Sequence, residues 1–198
     1  MDYPKDYIVW DLETTGLQPG IDKILEIGCI VVQNLEIVEK HSWLLDNDVQ
    51  ISERITEITS IDNKLIREEG IPVADALLNF RNVFSRYPGY KHITHNGIRF
   101  DIPFLSAFTG VTTQAFKDLA LDTAVVCKAK KLGLSQRDDE TFWEFGNRVM
   151  NIWAKGIKYN VKLMCEELEI DMTNIQLHRA LGDVLMTNEI YKKVFLNL

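Results

Sequence analysis

No stretch of this chain stays apolar for the roughly 20 residues that a bilayer-spanning helix needs. Its first ten residues, MDYPKDYIVW, lack the basic and then apolar pattern of a secretory leader. The sequence therefore reads as soluble, intracellular and cytoplasmic, with no membrane contact. Cysteine is scarce: Cys29, Cys127 and Cys165 are odd in number, far apart and set in apolar patterns. That argues against a disulfide frame or a zinc site and for reduced core thiols. Positive charge is short as well. The formal net charge of -7 speaks against a protein that grips nucleic acid through a broadly basic surface. It leaves a local site open, because acids that hold metal ions reverse the sign that a phosphate meets. There is no internal repeat, and no run rich in Pro, Gly or Ser divides the chain.

What is present is 198 residues with 46% hydrophobic content, the size and composition of one globular domain over 1–198. YIVWDLET, ILEIGCIVVQ and EKHSWLL read as three strands, and the short polar turns between them favour antiparallel neighbours. Helical spacing follows in Ile55, Ile58, Ile61, Leu65 and Ile66, then in Ala74, Leu77, Leu78, Phe80, Val83 and Phe84, broken at GIP. HITHNG is a short strand, a helix runs from about Pro103 to Phe108, and LALDT leads into the helix AVVCKAKKL. YNVKLMCEELEI precedes a loop, and a long helix closes the chain. This order predicts an α/β domain with a mixed sheet: three antiparallel strands, then alternating helices and strands, flanked by helices. Residues 135–158 stand apart as a helical insertion.

The apolar run at 8–16, IVWDLETTG, ends on two acids. Side chains alternate along a strand, so Asp11 and Glu13 point to one side and concentrate two negative charges. Either a cation meets them, or one acid caps a turn and the other is solvated. A third acid, Asp101, precedes an Ile-Pro helix start, where an N-cap is the plain alternative. Asp183 lies within the last helix among Ala180, Leu181, Val184 and Leu185, where an unmet carboxylate is costly. Four such acids make a hard oxygen cage suited to Mg²⁺ or Mn²⁺, and a pair of ions about 3.5 to 4 Å apart performs phosphodiester hydrolysis. His178 is placed to take a proton from the attacking water. On a regular helix it would lie roughly 140° from Asp183, which puts it on the preceding loop instead.

DLETTG at 11–16, HNGIRFD at 95–101 and HRALGD at 178–183, in that order, resemble the DnaQ-like or DEDDh 3′-to-5′ exonucleases, which have a ribonuclease H-like fold. The resemblance extends to EIG at 26–28, ALDTA at 120–124 and YNVKLMCEELEI at 159–170. It implies that Asp11, Glu13, Asp101 and Asp183 bind two divalent cations, Mg²⁺ or Mn²⁺, and that His178 activates the water. Thr14, Thr15, Gly16 and Leu17 would cradle the terminal nucleotide, Leu17 as an apolar wedge, and Asn96 and Phe100 would flank the strand end. From the residues alone, Leu17 is equally a turn residue covering the core, and Phe100 ordinary packing. His95 reads as structural. Glu26 would touch the 3′-hydroxyl, as in some relatives, or serve core hydrogen bonding.

The implied activity is removal of nucleoside monophosphates from single-stranded or frayed 3′ ends, DNA or RNA, with a polymerase or another replication or repair protein as the implied partner. An exoribonuclease that trims RNA ends and a non-catalytic module that binds a nucleic-acid end or a polymerase are the competing readings. In the 135–158 stretch, Phe142, Phe145, Val149 and Trp153 fall at helical spacings of three and four and read as a buried stripe, while the neighbouring Arg137, Arg148, Lys155 and Lys158 suit a single strand.

Overall fold

The computed structural model describes residues 3–198; Met1 and Asp2, the first two residues of the MDYPKDYIVW stretch, lie outside it. Strand β1 (Tyr7–Thr14) pairs antiparallel with β2 (Ile24–Gln33), which pairs antiparallel with β3 (Glu36–Asp46). β3 begins at Glu36, three residues before the expected EKHSWLL, because Asn34 and Leu35 both take left-handed backbone (φ 49° and 68°) and close the hairpin in two residues. Two short helices follow, α1 (Glu53–Thr59) and α2 (Asn63–Glu69), each capped by a side chain, Ser52 or Asp62.

The expected break at GIP is a two-residue strand, β4 (Ile71–Pro72), lying parallel to the end of β3. Proline fits there because β4 is the sheet edge and one of its amides needs no partner. Helix α3 (Val73–Arg86) leads to β5 (Lys91–Thr94), parallel to β1, and then to α4 (Asp101–Thr109). α4 starts two residues before the expected Pro103, whose missing N–H falls in a first turn where it costs nothing. A 3-10 turn at Thr113–Phe116 precedes β6 (Ala120–Asp122), parallel to β5, and α5 (Thr123–Leu132). α6 (Phe142–Asn151), α7 (Val161–Glu167) and α8 (Ala180–Phe195) complete the chain. The sheet order is β4-β3-β2-β1-β5-β6, the mixed α/β sheet that the sequence pattern predicts.

β1 is central, and Tyr7 to Trp10 are all fully buried because both sheet faces are covered. The two faces divide by residue parity. Ile8, Trp10 and Leu12 pack with α3 and α4 through Phe80, Val83, Ile102 and Phe104. Tyr7 and Val9 pack with α8 through Val184, Tyr191 and Phe195. Each fully buried aliphatic side chain here contributes roughly 1.5–3 kcal/mol. The expected stripe holds at Phe145 and Val149, but Trp153 does not join it: α6 ends at Asn151, Ile152 turns extended, and Trp153 is 84% exposed. No helix among the described residues is long and apolar enough to cross a membrane.

Candidate active site

The parity of β1 decides where its acids point. Asp11 and Glu13 continue the face of Tyr7 and Val9, toward α8, and Asp183 sits in the first turn of that helix. The cross-strand partner of Asp11 is Gly28, and a Cβ at Gly28 would lie 2.4 Å from the Ala180 carbonyl carbon. Only glycine lets the backbone of α8 come down onto the sheet beside Asp11. One oxygen from each of Asp11, Glu13 and Asp183 lies within 4.8 Å of the others. Asp101 stands beside this trio at the start of α4. The β1–β5 pairing stops at Val9, and the Leu12 amide beyond it donates to Asp101 Oδ1 at 3.1 Å. The N-cap role is excluded: Asp101 is the first residue of α4, and its side chain serves β1.

Asp101 and Asp183 are 2% and 8% exposed, while Asp11 and Glu13 open partly to the surface. Desolvation is the leading reason that all four hold their protons more tightly than ordinary carboxyls. Asp11 is raised well above the usual range, with further push from the charges of Asp101, Asp183 and Glu13. Glu13 is pushed up to about 8, Asp101 to about 7 and Asp183 to about 6, the last eased by the charge and N–H of His178. Among the described residues no Lys or Arg pairs with any of the four. A tight, oxygen-only, mutually repelling donor set fits a hard divalent cation, which would relieve both the desolvation and the repulsion.

His178 lies on the loop before α8, as expected, with left-handed backbone (φ 60°), and its N–H donates to Asp183 Oδ2 at 3.1 Å. The next residue, Arg179, forks onto Glu26 with two bonds of 2.9 Å. The Ala180 amide (3.0 Å) and the Ser42 hydroxyl (2.7 Å) fill the remaining places on Glu26, which is 1% exposed. Both Glu26 oxygens are therefore occupied by donors, and core hydrogen bonding, not contact with a strand end, accounts for this residue. Sequence reasoning missed Arg179 as its partner, because the two lie 153 positions apart. His95 is buried and structural: Thr123 Oγ1 lies 2.8 Å from Nδ1 and the Tyr159 carbonyl 2.5 Å from Nε2, which the Nε2–H tautomer satisfies.

Beyond Glu13 the chain forms a tied loop. The Thr14 hydroxyl donates to the Gly16 carbonyl at 2.6 Å, and the Asp22 carboxylate accepts from the Thr15 hydroxyl at 3.3 Å and the Gln18 amide at 2.8 Å. Leu17 rides this loop at 81% exposure, which excludes a role in covering the core. Asn96 is left-handed (φ 70°), and its amide donates to buried Asp122 at 2.8 Å, a shaping acid that sequence reasoning did not single out. Phe100 is half-buried against Phe104, with ring centroids 4.7 Å apart. A cleft of about 680 Å³ opens over this region, with Asp183, His178, Asn96, Tyr159 and Lys162 among its walls.

Three comparisons bear on the arrangement. The family model described as "Exonuclease" (RNase_T) matches residues 8–191. The DNA polymerase III PolC-type protein of Ureaplasma parvum serovar 3 is 27% identical over 97% of this chain, and that of Clostridium perfringens is 28% identical over 85%. In both cases the chain spans 12% of the polymerase's length. Among solved structures, E. coli exonuclease I in complex with a dA16 oligonucleotide matches 98% of this chain and 42% of its own, with a TM-score of 0.71 and 17% identity, which shows a shared ribonuclease H-like fold.

Proposed function

This chain belongs to the exonuclease family, and from that premise we propose that it is a divalent-metal-dependent 3′-to-5′ exonuclease that releases nucleoside monophosphates from single-stranded or frayed DNA ends. The observation that carries the reading is the convergence of Asp11, Glu13 and Asp183, with His178 tied by its own amide to the last of them. In this reading Asp11, Glu13, Asp101 and Asp183 hold two ions, Mg²⁺ or Mn²⁺. When bound, such ions lower the pKa of water and stabilise the charge that builds on the phosphate. An imidazole nitrogen of His178 takes the proton of the attacking water, and the bond between amide 178 and Asp183 keeps the ring's backbone in register with the acids. Thr14, Thr15 and Gly16 bind the terminal nucleotide, and exposed Leu17 inserts between the last two bases. Asn96 and Phe100 border the strand end.

DNA rather than RNA is favoured by the likeness to PolC-type polymerases and to an exonuclease I structure with a deoxyadenosine oligonucleotide. The same likeness supports work beside a polymerase. The deciding experiment is a time course on matched 3′-labelled and 5′-labelled single-stranded DNA and RNA, with Mg²⁺ or EDTA, beside Asp11→Ala. Metal-dependent loss of the 3′ label as mononucleotide, faster on DNA and absent in the variant, is expected. Internal cuts, or equal turnover by Asp11→Ala, would overturn the reading.

A further inference from the structure

We propose, resting on the exonuclease reading, that the α6–α7 connection (152–160) and the first turn of α7 form a lip that holds the single strand beyond its terminal nucleotide. Trp153 stacks on a base, and Lys158 and Lys162 take backbone phosphates. Trp153 is 84% exposed, and burying an indole is worth enough that leaving one in water invites a partner. Lys155, Lys158 and Lys162 are all exposed, and among the described residues none pairs with a carboxylate. In a chain of net charge -7, three unpaired cations within eight residues are a local reversal of sign.

The lip is also held in shape. Lys128 Nζ donates to the Met150 carbonyl at 3.2 Å, Lys131 Nζ to that of Lys158 at 2.6 Å, and the His95 ring to that of Tyr159 at 2.5 Å. Between these anchors, residues 154–157 close a turn, with the Ile157 amide on the Ala154 carbonyl at 3.4 Å and Gly156 at φ 84°. Trp153 and Lys158 therefore leave the two ends of one turn. Lys158 and Lys162 line the same cleft as His178 and Asp183, so the lip begins where the reaction would occur. An indole beside lysines on a fixed backbone is the chemistry of a sequence-tolerant single-strand platform.

The test is the length dependence of single-strand recognition. For oligodeoxynucleotides of increasing length, the KM of the unaltered protein should fall as the strand grows from two or three nucleotides to about twelve. Trp153→Ala should remove roughly ten-fold of that gain. Lys158→Ala with Lys162→Ala should make log KM less steep in log salt by about 1.4. Binding of a fluorescein-labelled twelve-nucleotide strand to Asp11→Asn, with and without Trp153→Ala, reads the lip independently of hydrolysis. Unchanged length dependence and unchanged binding would overturn the lip, as would an equal loss at every length. If the unaltered protein hydrolyses nothing, the exonuclease reading fails, and the binding pair still decides the lip.

Discussion

At the scale of single residues, the site rests on a buried carboxylate whose role is support. Glu26 carries four donors, and two of them come from Arg179, the neighbour of His178. Arg179→Ala would leave that carboxylate buried without its cation, so a loss of about 3 kcal/mol or more is expected in urea unfolding. Unfolding free energies equal within about 0.5 kcal/mol would show that the pair contributes no net stability. His178→Ala, by contrast, should leave stability close to that of the unaltered protein and lower kcat by roughly 10²- to 10⁴-fold, with cation affinity far less affected. Equal losses in both would make His178 a ligand rather than a base. The acids were legible because the period-2 rule puts Asp11 and Glu13 on one side and because Asp183 interrupts an apolar helix face. Arg179 was not, since its partner lies 153 positions away and charge pairing at that distance leaves no local pattern.

At the scale of elements, the first turn of α8 is where the site is assembled, and two glycines let it close. Gly28 admits the Ala180 backbone, and a Cβ at Gly182 would lie 2.0 Å from the Gln176 carbonyl oxygen. Both obstacles are backbone, which cannot swing aside as a side chain can. Gly28→Ala should therefore lift the start of α8 from β2, costing roughly 1–3 kcal/mol. By moving Asp183 away from Asp11, it should also lower cation affinity, which titration calorimetry would read. A folded variant with unchanged affinity would mean that α8 adapts without moving Asp183. The periodicity of α3 was readable because it buries one face, Ala76, Phe80 and Val83, against the sheet. The stripe at 142–153 misled because spacing alone does not say where a helix stops: Trp153 keeps the period but lies past the C-cap, on a turn.

At the scale of the molecule, the carboxylate cluster should appear in the pH dependence of stability. Folding raises the pKa of these acids, so the stability they lend is present at low pH and is lost as pH rises through their folded values. His92 and His95, held neutral with values near 4 by desolvation, act in the opposite sense below about 6.5, their unfolded value. The clean window is therefore pH 6.5 to 8.5, where Asp101 at about 7 and Glu13 at about 8 still titrate. The metal-free protein should lose several degrees of Tm across it, Asp11→Asn should lose less, and Mn²⁺ should raise Tm most at the alkaline end. A flat profile without metal would show that the acids are better solvated than their burial indicates.

The sequence by itself determined the α/β order of elements, the apolar first strand, the face on which Asp11 and Glu13 lie, and the family, because each of these is written in local period or in short motifs. Tertiary structure alone decided which acids meet, that Glu26 supports rather than contacts, that Leu17 stands free of the core, and that Lys158 and Lys162 line the cleft beside His178 and Asp183. These depend on how closely α8 approaches β2 and on where loops are tied. Such distances are set by packing between residues remote in the chain, and a one-dimensional pattern does not encode them.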